Sequence, residues 1–128
     1  MKIGYARTST LNQHLDLQLD ALKNCGCEKI FQEQVSSVKD KRPQLESCLQ
    51  ALRAGDTLYI WRLDRLGRNL KDLINIVNQL QAMGCELVSL KESIDTSTTS
   101  GKLTFHLFAS LAEFERELIL ERTQAGLS

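Results

Sequence analysis

Arg7, two residues ahead of Ser9 in Y-A-R-T-S-T-L-N-Q (residues 5–13), and the run W-R-L-D-R-L-G-R (residues 61–68) hold the side chains best suited to chemistry in this chain. The second run sets Arg62, Arg65 and Arg68 around Asp64. Such a charge run is commonly a solvated surface loop. Arginine, however, is the side chain matched to phosphate, through a rigid fork of donors and a permanent charge. Asp64 can orient one arginine, or donate a proton if its pKa is raised. Ser9 has two readings. A serine where a strand turns into a helix caps the helix; a serine beside positive charge is a candidate nucleophile. It is weak in that role without a base or a strongly positive field, and apart from His14 no His or Lys stands near it in sequence. The activator would then be the arginines. A hydroxyl beside Arg7, Arg65 and Arg68 suits phosphoryl transfer, which depends on positioning and on stabilising charge at the non-bridging oxygens. Thr10 and Gln13 also have the T-x-x-Q spacing of a capping box. The pattern assigns the cap to Thr10 and leaves Ser9 and Gln13 open between the two roles.

These groups meet only if the elements between them run in the right directions. Residues 2–7 alternate and predict a strand. Leu11, Leu15, Leu19 and Leu22 predict a helix over 11–24, ended by Asn24 and Gly26. Residues 28–35 read as a second strand. Pro43 suits the first turn of a helix, whose apolar face is Leu45, Cys48, Leu49 and Leu52 and whose stop is Gly55. Residues 57–61 form a nearly continuous apolar run, expected of a strand covered on both faces. A helix follows over about 69–83, with Leu70, Leu73, Ile74, Val77, Leu80 and Met83 on one face. Gly84 ends it, and residues 85–90 make a fourth strand. Residues 91–100, rich in serine and threonine, predict a mobile polar loop. Residues 101–126 then read as one helix, roughly 40 Å long at about 1.5 Å per residue. Its apolar surface (Phe105, Phe108, Leu111, Ala112, Leu118, Ile119) exceeds what one sheet edge needs, and predicts a partner helix from a second subunit.

The fold class is therefore α/β: a mostly parallel sheet with flanking helices, plus a long C-terminal helix for dimerisation. Residues 1–100 form the catalytic core and 101–128 the oligomerisation helix. In such sheets functional groups gather where the carboxyl ends of strands enter loops. Residues 7–13 and 62–68 both leave strands in that way.

Composition agrees with one domain. The chain has 128 residues, 42% hydrophobic and 25% charged, and a net charge of zero. Neutrality argues against a free-standing nucleic-acid binder, so a role on DNA would need local basic clusters or a further domain. No apolar run reaches the length of a membrane span, and the N-terminus lacks the pattern of a signal peptide; both predict a cytoplasmic protein. Cys25, Cys27, Cys48 and Cys85 do not have metal or redox spacing and are expected to be free thiols. His14 and His106 read as surface and interface residues. Gly101-Lys102 does not complete a P-loop, since Thr96 and Leu103 stand where a glycine and a serine or threonine are needed.

Taken together, Y-A-R-T-S-T-L-N-Q, R-P-Q-L at 42–45, L-D-R-L-G-R at 63–68, S-I-D-T at 93–96 and A-E-F-E-R-E-L-I-L-E-R-T-Q-A-G-L at 112–127 resemble the catalytic domain of serine recombinases of the resolvase/invertase family, nearest to the DNA invertases. The resemblance implies that Ser9 attacks a DNA phosphodiester, forms a covalent 5′-phosphoserine and releases a 3′ hydroxyl, followed by strand exchange and religation. It implies that Arg7, Arg65 and Arg68 bind the scissile phosphate, and that Asp64 protonates the leaving oxygen or fixes Arg65. Tyr5, Gln13, Gln18, Ser36 and Arg42 would support the site. Arg116, Glu121 and Arg122 match positions of DNA contact and the dimer interface. No metal or other cofactor is implied. The implied partners are a double-stranded DNA recombination site, a second copy in a homodimer that pairs into a tetramer, and an accessory DNA-bending protein; no membrane is involved. The end of the long helix and a helix-turn-helix module are expected to be missing. Departures from the family pattern are Thr8 for valine, Ser37 for glycine, and Lys39-Asp40-Lys41 ahead of Arg42. The competing readings are a synapsis and dimerisation module that does not cut, a phosphate-ester hydrolase using the same serine, and a resolvase or transposase of the same family.

Overall fold

The computed structural model describes residues 1–8, 15–34, 42–67, 70–107 and 110–111. The order is β1 (Lys2–Thr8), α1 (Leu15–Asn24), β2 (Lys29–Gln34), α2 (Pro43–Ala51), β3 (Thr57–Ile60), α3 (Leu70–Ala82), β4 (Glu86–Ser89) and β5 (Ile94–Asp95). A fourth helix, α4, holds residues 99–107 and 110–111. The sheet order is β2-β1-β3-β4-β5. The first three pairings are parallel and β4–β5 is antiparallel.

Period-two alternation along β1 divides the molecule. Ile3 and Tyr5 enter the main core with Phe31, Leu58, Ile60 and Leu87, beneath apolar residues of α2, α3 and Phe105 of α4. Gly4 faces the other way, where an added Cβ would lie 3.2 Å from both Leu22 of α1 and Ile30 of β2. Hence α1 packs on the opposite face from α2 and α3. Helix α3 buries Leu73, Val77 and Leu80 of its predicted stripe and Ile76 beside them, while Leu70, Ile74 and Met83 are half-buried. Cys85 N–H then closes its C-terminus on the Leu80 carbonyl, with Gly84 between them at φ 78°. That left-handed conformation is why glycine belongs there.

Several boundaries differ from the pattern. Helix α2 ends at Ala51 and Leu52 is already extended at its cap, ψ 139°, although Leu52 still reaches the core. The two faces of strand β3 are covered unequally: Leu58 and Ile60 are buried, whereas Thr57 and Tyr59 are half-buried. Tyr59 pairs in register with Gly4, on the α1 side, and the Lys2 ammonium lies 5.7 Å from the centre of its ring. An apolar run therefore did not mean two buried faces.

The polar segment 91–100 departs most. It holds β5, and its side chains do the joining. Thr96 Oγ1 accepts from Leu87 N–H at 2.8 Å and donates to Glu86 at 2.6 Å. Asp95 Oδ1 accepts from both the amide and hydroxyl of Ser97. Thr98 Oγ1 donates to the Asp95 carbonyl and accepts from Gly101 N–H. Serine and threonine here act as local hydrogen-bonding devices at a helix start. The predicted helix over 101–126 begins earlier, at residue 99, and its extent beyond 111 lies outside the described residues, as do residues 11–14 of the first predicted helix. The cysteines are free, with Cys48 and Cys85 buried. No helix among the described residues is long and apolar enough to cross a membrane.

Candidate functional site

β1 and β3 are adjacent and parallel, so their carboxyl ends open at the same edge. Arg7 stands at the end of β1; the segment after β3 turns through a single 3-10 turn, Leu63–Arg65. The turn is closed by backbone bonds: Arg65 N–H to the Arg62 carbonyl at 3.0 Å, Leu66 N–H to Leu63 at 3.1 Å and Gly67 N–H to Leu63 at 3.3 Å. This curl puts Leu63 and Leu66 into the core. The Arg62 guanidinium lies 4.8 Å from the centre of the Trp61 ring, within the range of a cation–π contact.

Two arginines from other elements grip this turn. Arg7 Nη2 donates to the Gly67 carbonyl at 3.3 Å. Arg42, just ahead of α2, donates from Nη1 to the Leu66 carbonyl at 2.8 Å and from Nη2 to Asp72 at 3.1 and 2.9 Å. Arg42 and Asp72 are only 10% and 17% exposed, so this is an ion pair with limited access to water. Arg7 itself is fixed from behind. Gln18 of α1, fully buried, accepts from Arg7 N–H at 3.3 Å and donates to its carbonyl at 3.2 Å. The carboxamide thereby satisfies both backbone groups of Arg7, as a neighbouring strand would.

Tyr5 is buried beneath this edge, and its hydroxyl donates to Glu33 at 2.8 Å. Glu33 is 6% exposed and also accepts from Gln44 N–H at 2.9 Å and Leu45 N–H at 3.3 Å, in the first turn of α2. Burial first, then the bond to Glu33 and its negative charge, push the Tyr5 phenol far above its ordinary value; Arg7 and Arg42 act in the opposite direction. Tyr5 therefore stays protonated and serves as a donor. It is a fixed support and not a base.

Of the residues expected at the site, Tyr5, Arg7, Gln18, Arg42 and Arg65 gather at this edge. Asp64 is placed on the turn by its backbone alone; its side chain is outside the described set. Ser9, Gln13, Ser36, Arg68, Arg116, Glu121 and Arg122 also lie outside the described residues. Sequence reasoning missed Glu33, Asp72 and Glu92. For Glu33 a signal existed: it follows Phe31 by two, so strand alternation puts a carboxylate on the core face. Asp72 and Glu92 carry no such signal. Among the described residues no cluster of His, Cys, Asp and Glu could hold a metal ion. What the edge offers is a group of guanidinium ions held in place by backbone and carboxylate partners, an arrangement suited to an anionic ester.

Comparison with known proteins identifies the family. Residues 2–128 match the family described as Resolvase, N terminal domain. The chain is 56% identical over 128 residues to the transposon Tn552 DNA-invertase BinR of Staphylococcus aureus, covering 98% of this chain and 67% of that protein. It is 51% identical to the serine recombinase gin of Escherichia phage Mu, covering 100% and 66%. It is 47% identical to the DNA-invertase hin of Salmonella typhimurium, covering 98% and 66%. The chain thus spans about two thirds of the length of these relatives. Among solved structures, the N-terminal catalytic domain of TP901-1 integrase superposes with a TM-score of 0.78 at 28% identity, covering 92% of this chain and 98% of that one. A resolvase family site-specific recombinase from Streptococcus pneumoniae gives 0.75 at 26% identity, covering 98% and 95%.

Proposed function

Because the chain belongs to the resolvase N-terminal domain family, the catalytic domain of serine recombinases, we propose that it cuts and rejoins DNA at a specific site, with inversion as the outcome. Ser9 is the nucleophile. Its oxygen forms a bond to the scissile phosphorus and its proton leaves; the bond from phosphorus to the 3′ oxygen breaks, and that oxygen takes up a proton. The product is a 5′-phosphoserine ester and a free 3′ hydroxyl. The ester keeps the bond energy, so reversal by a new 3′ hydroxyl needs no further energy source. Arg7, Arg65 and Arg68 stabilise charge on the phosphate oxygens, and Asp64 protonates the leaving oxygen or holds Arg65. Gln13 and Ser36 complete the lining.

One observation carries this reading: the hydrogen bond from Arg7 to the Gly67 carbonyl. It ties the end of β1 to the arginine turn, and Ser9 follows Arg7 by two residues. A serine capping a helix would have no use for that tether. The domain division proposed is a core over residues 1–100 and a helix from 101 onward. That helix pairs with a second copy, and dimers join as a tetramer on double-stranded DNA, with Arg116, Glu121 and Arg122 at the contacts and an accessory DNA-bending protein assisting. The exposed side chains of Leu103, Leu107 and Leu111, at helical spacing, support a helix face awaiting a partner.

The test is an adduct assay. The full-length protein is incubated with supercoiled DNA from its own locus, quenched in denaturant, and compared with Ser9→Ala. A protein–DNA adduct at the 5′ end that disappears in the variant is the expected result. Loss of 5′ phosphate to water would favour a hydrolase. Specific binding and pairing of sites with no adduct would favour a synapsis module.

A further inference from the structure

We propose that Glu92 is a positioning residue for the arginine turn, holding it from the side of β4. This deepens the recombinase reading and rests on it. The 3-10 turn that carries Asp64 and Arg65 begins after Arg62, whose backbone is extended and whose side chain makes no cap. The first amide of the turn, Leu63 N–H, therefore needs an acceptor from elsewhere. Glu92 supplies it: Leu63 N–H donates to Glu92 Oε2 at 3.3 Å, across 29 residues of sequence.

The geometry around Glu92 is built for that contact. Ser89, fully buried at the end of β4, pairs in register with Ile60, the last residue of β3. Beyond it, Leu90 N–H donates to the Ile60 carbonyl at 3.0 Å and Lys91 N–H to the Trp61 carbonyl at 2.8 Å. The chain from β4 thus runs alongside the start of the arginine turn, one bond per step, and Glu92 continues the series through its side chain. Ser93 then adopts φ 56° and returns its N–H to the Leu90 carbonyl at 3.2 Å. A left-handed conformation at a residue other than glycine is strained and persists where surrounding contacts over-determine it. Ser93 lies directly after Glu92, in the reversal that leads to β5. Meanwhile the second oxygen, Glu92 Oε1, accepts from the Ser89 hydroxyl. One carboxylate is thereby fixed at both oxygens, to the end of β4 and to the start of the turn.

Among the described residues the turn is gripped by Arg42 on Leu66, Arg7 on Gly67, and Glu92 on Leu63. The first two hold its exit. Glu92 alone among these holds its entrance, so without it the turn can pivot about its far end and carry Arg65 away from the phosphate.

The experiment compares full-length wild type with Glu92→Ala, Glu92→Gln and Lys91→Ala. The first readout is single-turnover adduct formation at saturating protein, together with DNA affinity and thermal midpoint. The second is hydrogen exchange at the Leu63 amide, which needs no activity. Glu92→Ala should slow adduct formation by about 10- to 100-fold, the scale of a misplacement on the order of 1 Å. DNA affinity should not change, and Leu63 should lose protection. Glu92→Gln keeps one oxygen for Leu63 and should recover most of the rate; Lys91→Ala, an exposed side chain, should behave as wild type. A wild-type rate in Glu92→Ala overturns the proposal. So does a loss of rate that follows the thermal midpoint equally in all three variants, which marks a merely structural role. If wild type itself forms no adduct, the recombinase reading fails, and Leu63 protection still decides whether Glu92 holds the turn.

Discussion

Glu33→Ala tests the buried support of the site most directly. The Glu33 carboxylate accepts from the Tyr5 hydroxyl at 2.8 Å, Gln44 N–H at 2.9 Å and Leu45 N–H at 3.3 Å. Alanine leaves all of these donors without their acceptor. Hydrogen bonds to a charged group contribute about 1.5–3 kcal/mol each, and a buried donor left unsatisfied costs about 1–3 kcal/mol. The three bonds share one acceptor, and Gln44 N–H is only partly buried, so the losses do not add in full. The expected destabilisation is about 3–5 kcal/mol, a large part of the roughly 5–15 kcal/mol that holds a domain folded. The assay is urea unfolding followed by circular dichroism, with an unchanged m-value certifying a like-for-like comparison. Tyr5→Phe removes one donor to that carboxylate and should cost about 1.5–3 kcal/mol. Combined with Glu33→Ala it should cost less than the sum, because the carboxylate and the hydroxyl serve each other. A loss below about 1 kcal/mol in Glu33→Ala, or strict additivity with Tyr5→Phe, would falsify the view that this carboxylate joins β1 to α2.

Two further outcomes are expected. Tyr5 has a raised folded pKa, so its contribution is complete below the ordinary tyrosine value of about 10 and is lost as pH rises above it, when only the unfolded chain gives up the proton; stability measured between pH 8 and 11 should therefore fall more gently in Tyr5→Phe than in wild type. Gly67→Ala would place a Cβ 2.7 Å from Leu73 Cβ and 2.8 Å from its backbone; the turn must shift, with a cost of about 1–3 kcal/mol in urea unfolding and a displaced acceptor for Arg7.

Much of the frame could be read because its signals are local. Helix α3 repeats its apolar residues at the helical period, and Pro43 marks the start of α2. β5 could not be read, since a strand of two residues has no period, and the serines and threonines around it carry the same signature in a loop. What fixes them is tertiary: Thr96 finds Glu86 and Leu87 on β4. The site divides in the same way. Arg7 and Arg65 stood out by residue type, and Arg42 was named through family likeness. Gln18 was named through family likeness, and its task of closing both backbone groups of Arg7 emerges only once α1 folds back on β1. Asp72 and Glu92 look like ordinary surface charges in the sequence, and acquire meaning from partners 30 and 29 residues away.

The partners chosen for these arginines separate two tasks. A backbone carbonyl orients a guanidinium without cancelling its charge, whereas a carboxylate does both. Arg7 is directed by the Gly67 carbonyl. Arg42 also touches a carbonyl, that of Leu66, but its other arm is bound to Asp72 on both oxygens. In an environment only partly open to water, that pairing takes up much of the field Arg42 could project. Arg42 is thus placed to hold the turn against α2 and α3, and Arg7 is oriented by a carbonyl at the end of β1. The same division accounts for the acidic residues around this edge. Glu33, Asp72 and Glu92 each engage donors at the back or flank of the edge: a phenol and helix amides, a guanidinium, and a turn amide with a serine hydroxyl. They lend rigidity there, at the back and flank of the edge that carries the arginines.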